Sequence, residues 1–185
     1  MDTCRVGARL HNILMSPYDL LIAGFLLFTP AHAAQPQDGS VECLALNMYH
    51  EARGQGTAGI LGVTAVVFNR VKDKRFPNTI CEVIEQGPTR ESWKKNGKFY
   101  PIRHKCQLSW YCDGKSDTPR DLDTYTKLLR VARAMVSKDI PFIDITDRAL
   151  FYHADYVTPG WAKTKKRTTR IGNHIFYRWE IGKKF

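Results

Sequence analysis

The sequence predicts an α+β fold, mainly helical, with a small antiparallel sheet. Three observations carry that prediction. Residues 41–87 place apolar side chains at helical spacing between Gly and Pro breaks, and residues 121–138 repeat the spacing. Residues 149–157 and 171–181 are instead rich in aromatic and β-branched side chains, as strands are. The length of 185 residues suits one compact domain. With 43% hydrophobic and 25% charged residues, the composition excludes disordered, collagen-like and multi-span membrane classes.

The elements follow in order. Residues 1–33 read as a secretory signal peptide. Arg5 and Arg9 precede a nine-residue apolar run at 20–28, and Pro30 precedes Ala31-His32-Ala33, an A-x-A cleavage signature. The run is far short of the roughly 20 residues that a membrane span needs. Residues 34–40 form a polar linker. Val41, Leu44, Ala45, Met48 and Ala52 then define one face of a first helix, ended by Gly54. A second helix is expected over residues 57–73, before Phe76-Pro77. Thr79 followed by Glu82 is a capping box that opens a short third helix ending at Gly87.

Residues 88–120 hold no sustained period and read as a long ordered loop with room for a hairpin. Asp121 or Asp123 opens a further helix through Leu122, Tyr125, Leu128, Leu129, Ala132 and Val136. The two strands follow. Between them lie Pro159-Gly160-Trp161 and a basic run of Lys163, Lys165, Lys166, Arg167 and Arg170.

Charge is unevenly spread. Residues 34–92 hold 6 basic and 7 acidic groups, whereas residues 93–185 hold 20 and 9. Nucleic acid, anionic lipid and acidic wall polymer all suit that charge, but export sets nucleic acid aside as a partner. The run at 163–170 fits peptide carboxylates or anionic envelope polymers, and fits equally a solvated charged face. Cys4 would leave with the signal. Cys43, Cys81, Cys106 and Cys112 are then an even set in an oxidising compartment, where three pairings are open. Cys106 and Cys112 are six apart among turn formers, so they pair first, leaving Cys43 with Cys81. A four-thiolate zinc site is the rival, but no C-x-x-C spacing supports it. No metal or cofactor is expected.

Glu51 is the candidate acid. It follows Leu44 by seven residues, so on a helix it projects from the edge of the buried stripe, in the last turn. Burial and the negative end of the helix both raise a carboxyl pKa. A Glu protonated near neutral pH is the general acid that glycosidic cleavage requires. The plainer alternative is an ion pair with Arg53 or another basic residue.

Several stretches extend this reading: Cys43-Leu-Ala-Leu-Asn-Met-Tyr-His-Glu-Ala-Arg-Gly54, Val66-Val-Phe-Asn-Arg-Val71, Arg75-Phe-Pro-Asn-Thr-Ile-Cys81, Cys106-Gln-Leu-Ser-Trp110 with Cys112-Asp-Gly114, and Tyr152-His-Ala-Asp-Tyr-Val-Thr-Pro-Gly-Trp161 with Ile171-Gly-Asn-His-Ile-Phe-Tyr177. In this order they resemble the SleB-type cell-wall hydrolase family of spore-cortex-lytic enzymes. The resemblance implies a lysozyme-like catalytic domain over residues 41–185, acting on peptidoglycan glycan strands, with the family's catalytic Glu at Glu51. It further implies a lytic transglycosylase in which one Glu is both acid and base. Hydrolysis by two carboxylates would need a partner, and Asp113 and Asp155 are nearest by motif.

Gln107, Ser109, Trp110, Tyr152, His153, Tyr156 and Trp161 supply the aromatic faces and polar groups that sugars need, as candidate substrate-binding residues. Trp110 and Trp161 suit core and sugar equally, while Tyr177 suits the core. His50 and His153 lack metal-ligand spacing and read as hydrogen-bonded residues. The competing functions are an N-acetylmuramoyl-L-alanine amidase, which would want zinc, and a non-catalytic wall-binding module. The expected protein is a secreted or periplasmic monomer, open to a regulatory protein partner.

Overall fold

Leu44, Ala45 and Met48 are wholly removed from solvent along one face of the first helix, and the fold is built around that face. In a computed structural model of the chain, the structure describes residues 39–179. The signal peptide and linker residues 34–38 lie outside the described residues. Helix α1 spans Ser40–Ala52, α2 Gly56–Lys72, α3 Ile80–Ile84 and α4 Leu122–Val136. Helix α1 packs against α2, α3 and α4. Val41, Leu44, Met48 and Tyr49 meet Val67, Val83, Ile84, Leu128 and Ala132 in the main core.

The helix starts follow local capping. Asp121 accepts from the Thr124 N–H at 3.0 Å and so opens α4. Thr79 accepts from the Glu82 N–H at 3.3 Å, and the Glu82 carboxylate accepts from the Thr79 hydroxyl at 2.8 Å. The first helix begins at Ser40, one residue inside the predicted linker. Cys43 of α1 is bonded to Cys81 of α3, and Cys106 to Cys112. That pairing removes the four-thiolate zinc alternative.

Residues 88–120 do contain a hairpin. Strands β1 (Thr89–Glu91) and β2 (Phe99–Pro101) pair antiparallel, and a 3-10 turn follows at Ser109–Cys112. The second sheet has three strands rather than two. Its order is β3 (Phe151–Ala154), β5 (His174–Arg178), β4 (Lys166–Ile171), antiparallel throughout. The basic run is thus largely an edge strand, and the predicted strand at 171–181 divides into the end of β4, a Gly172-Asn173 turn and β5. Lys166, Arg167 and Arg170 are exposed, so β4 shows no apolar alternation to betray it. Charge on an edge strand also deters pairing with other chains.

Val66 of α2 packs with Ala149 and Phe176, joining the helices to the sheet. Gly62 permits this approach, because a Cβ there would lie 2.8 Å from Cζ of the fully buried Phe176. Gly172 has a φ of +55°, and a Cβ there would meet Gln55 Oε1 at short range. The Asn173 N–H donates to that same oxygen at 3.0 Å, which hooks the β4–β5 turn onto the α1–α2 junction.

Candidate active site

The last turn of α1, the loop closed by Cys106–Cys112, strand β3 and the β4–β5 turn surround one cleft of about 660 Å³. Glu51 lines it from α1, and Gln55 and Arg70 from the start and end of α2. Gln107, Ser109 and Trp110 come from the disulfide loop, Tyr152 and His153 from β3, and Tyr156 and Trp161 from the segment after it. All eight residues singled out in the sequence therefore share this cleft.

Glu51 is the only acid among its lining residues. Burial pushes its carboxyl pKa up, and the nearby Tyr152 hydroxyl pulls it partly back. Among the described residues, Glu51 forms no ion pair with Arg53 or with any other basic residue. Arg53 donates to the Tyr49 hydroxyl at 2.6 Å and stacks on its ring at 4.8 Å. The two alternative acids are also occupied elsewhere. Asp155 pairs with Arg170 at 2.5 Å and Asp113 with Lys115 at 3.6 Å, and neither lines the cleft.

Tyr152 is half-buried, with its hydroxyl buried beside Glu51 and within the field of Arg70. Burial and the Glu51 charge hold its pKa well above the usual phenol range, so the hydroxyl keeps its proton. That hydroxyl completes no well-formed hydrogen bond with a described residue. Arg70 is buried too. Desolvation lowers its guanidinium to about 10, which still leaves it charged at neutral pH. Its Nε donates to the Leu150 carbonyl at 2.8 Å, and its plane lies 5.0 Å from Phe76 and 5.6 Å from Phe151.

Trp110 serves core and cleft at once. Its indole N–H donates to Asn47 Oδ1 at 3.2 Å, and its ring stacks on His50 at 4.6 Å. His50 in turn donates from Nε2 to the Asp117 carbonyl at 3.0 Å. His153 has both ring nitrogens engaged. The Ala154 carbonyl at 2.8 Å can only accept, so Nδ1 carries the hydrogen and Nε2 accepts from the Tyr177 hydroxyl at 2.9 Å. His153 therefore contributes packing to the wall, against Trp161, rather than a free hydrogen-bonding group. Tyr177 is buried in the core as expected. Trp161 is 36% exposed and Tyr156 is 84% exposed, so their faces are open. Gln107 and Ser109 have exposed side chains on the opposite rim.

Sequence reasoning missed Arg70, Gln55, Asn173 and His174 as lining residues. Burial lowers the His174 pKa, which keeps its ring neutral. Arg70 did leave a signal: Val63, Val66 and Val67 share its helical face, and a cation inside an apolar stripe calls for a reason. Gln55 and Asn173 left none, since each follows a helix or a turn where polar residues are ordinary.

The chain has relatives of known kind. Residues 54–177 match the Cell Wall Hydrolase family, a match that begins just past Glu51. The spore cortex-lytic enzyme of Bacillus cereus is 29% identical over 137 residues, 74% of this chain and 43% of that protein. The Bacillus subtilis (strain 168) enzyme of the same name is 28% identical over 140 residues, 75% of this chain and 37% of that protein. The chain thus spans less than half the length of these relatives. The catalytic domain of the germination-specific lytic transglycosylase SleB from Bacillus anthracis superposes with a TM-score of 0.50 at 26% identity, covering 76% of this chain and 95% of that domain. Because the family match covers more than half of its residues, the chain belongs to the Cell Wall Hydrolase family.

Proposed function

We propose that this chain cleaves the glycosidic bond between N-acetylmuramic acid and N-acetylglucosamine in peptidoglycan as a lytic transglycosylase, with Glu51 acting first as acid and then as base. One observation carries the reading. A single desolvated carboxylate stands in a cleft that has no second acid. Two-acid hydrolysis needs carboxyl groups about 5–9.5 Å apart, and the cleft offers no such pair.

Protonated Glu51 gives its proton to the glycosidic oxygen as the bond to the muramic anomeric carbon breaks. The resulting carboxylate takes the proton of the muramic 6-hydroxyl, and that oxygen bonds to the anomeric carbon. The product is a 1,6-anhydro end, and no water is consumed. Tyr152 keeps its proton, so its hydroxyl can donate to Glu51 while the carboxylate is charged. Gln107 and Ser109 suit an N-acetyl group, and Trp110, Tyr156 and Trp161 offer apolar faces to sugar rings. The names of the relatives support this chemistry. A zinc-dependent amidase finds no ligand set among the described residues, and a pure binding module has no use for a buried acid.

The reading includes export by residues 1–33 to a secreted or periplasmic location. It also includes action as a monomer, since one chain supplies every wall of the cleft. A restraining protein partner would find its surface on the exposed rim around Tyr156. Mass spectrometry of digested peptidoglycan tests the chemistry. Anhydro-muropeptides support it, reducing ends would replace it with hydrolysis, and released free peptides with amide cleavage.

A further inference from the structure

The β1–β2 hairpin carries aromatic side chains that nothing in the fold covers. Trp93 is 90% exposed and Phe99 is 63% exposed. Phe99 is the cross-strand partner of Glu91, and Trp93 lines a shallow recess with Glu91, Ser92 and Asn96. Lys94, Lys95 and Lys98 surround them, and Lys94 lies 4.8 Å from the Trp93 ring centroid. The one carboxylate at the tip is already engaged, because Glu91 Oε1 accepts from the Gly97 N–H at 2.6 Å.

The backbone of the tip is satisfied internally. Ser92 Oγ accepts from the N–H groups of Lys94 and Lys95 at 3.3 Å each. The Lys98 N–H donates to the Lys95 carbonyl, and the Ser92 N–H to the Lys98 carbonyl. Five N–H groups of the turn thus need no water, which lowers the desolvation cost of seating the tip in a less polar medium.

We propose that this hairpin docks the protein on an anionic phospholipid bilayer, with Trp93 and Phe99 in the headgroup region and Lys94, Lys95 and Lys98 on lipid phosphates. Trp at the interface flanked by lysine is the pattern that such surfaces select. Of the polar side chains that share the recess with Trp93, Glu91 and Ser92 are committed to backbone N–H groups, so Asn96 is the one amide beside the ring. The hairpin also stands next to the cleft. Its base is closed by the Ile102 N–H on the Pro88 carbonyl, and the Gln107 N–H donates to the Gln86 carbonyl beside it. Docking would therefore hold the rim bearing Gln107 and Ser109 near the membrane, whichever bond Glu51 cuts.

Vesicle sedimentation tests this, using the chain from Gln35 onward, which holds the whole described fold and omits the apolar run at 20–28. Binding is expected to vesicles of equal phosphatidylcholine and phosphatidylglycerol, and not to phosphatidylcholine alone. Each lysine changed to Glu should weaken partitioning about fivefold or more. Trp93→Ser should weaken it roughly tenfold and abolish quenching of emission by brominated lipid, with an unchanged melting temperature. Absence of phosphatidylglycerol-dependent binding would overturn the proposal, as would unchanged binding in both sets of variants. So would variants that lose binding to lipid-free wall sacculi while keeping vesicle binding, which would make the hairpin a reader of wall polymer.

Discussion

The buried Tyr152 hydroxyl and the Glu51 carboxylate shift each other: the hydroxyl pulls the Glu51 pKa down, and the Glu51 charge pushes the phenol up. The pair is set for the charged state of the acid. Once the Glu51 proton leaves, the hydroxyl has a charge to stabilise.

On the proposed chemistry, replacing Glu51 by Gln removes the proton donor and keeps the shape. Turnover of peptidoglycan is expected to fall at least ~100-fold, with folding and substrate binding retained. Stability carries a second signature. The folded state disfavours ionised Glu51, so the stability linked to this group is full in acid and is lost as pH rises through the raised pKa. Glu51→Gln should melt higher than the native chain at neutral pH, and that gain should vanish in acid. Calorimetry across pH reads both limbs.

Tyr152→Phe separates the hydroxyl from the ring. The hydroxyl lowers the Glu51 pKa, so its loss should move the alkaline limb of the rate profile to higher pH. The rate at the optimum should drop roughly 10- to 100-fold, the worth of a hydrogen bond to a charged group. Stability should change by about 1 kcal/mol or less, because the hydroxyl meets no partner at full hydrogen-bond geometry. An unmoved alkaline limb would separate Tyr152 from the acid.

Gly62→Ala sets two effects against each other. Alanine improves helix propensity by about 1 kcal/mol, but its Cβ would press on the Phe176 ring. Phe176 is fully buried and has no room to yield, and overpacking costs about 1–3 kcal/mol. Urea denaturation should show a net loss.

The disulfides should divide their effects. Cys43 and Cys81 enclose a separation of 38 residues, so replacing both by Ala should cost about 2–4 kcal/mol of stability. The Cys106–Cys112 bridge spans six residues and restrains the loop that carries Gln107, Ser109 and Trp110. Its removal should cost less stability, roughly 2 kcal/mol, and raise KM more than it lowers kcat.

What the chain disclosed in advance follows from the range of each interaction. The position of Glu51 was legible because a helix repeats every few residues, and the buried Leu44 two turns earlier sets its direction. The caps at Thr79 and Asp121 were legible for the same reason. Strand β4 was hidden because an edge strand of Lys, Thr and Arg owes its conformation to its hydrogen bonds with β5, not to its own pattern. The part played by Arg70 was half legible: the apolar face marked it as buried, but its partners Leu150, Phe76 and Phe151 come from elsewhere in the chain. Neither Asp113 nor Asp155, considered as a second acid, lines the cleft: Asp155 pairs with Arg170 across 15 residues, and Asp113 with nearby Lys115.

The Gln55–Asn173 hydrogen bond joins residues 118 apart in sequence, and it has a consequence for timing. A chain made or exported N-terminus first presents Glu51 long before β3 and β5 arrive to form the facing wall. During that interval the acid sits on a helix with no cleft around it and no Tyr152 beside it. Competence in the proposed reaction thus waits on the arrival of residues 151–174, which close the cleft around Glu51.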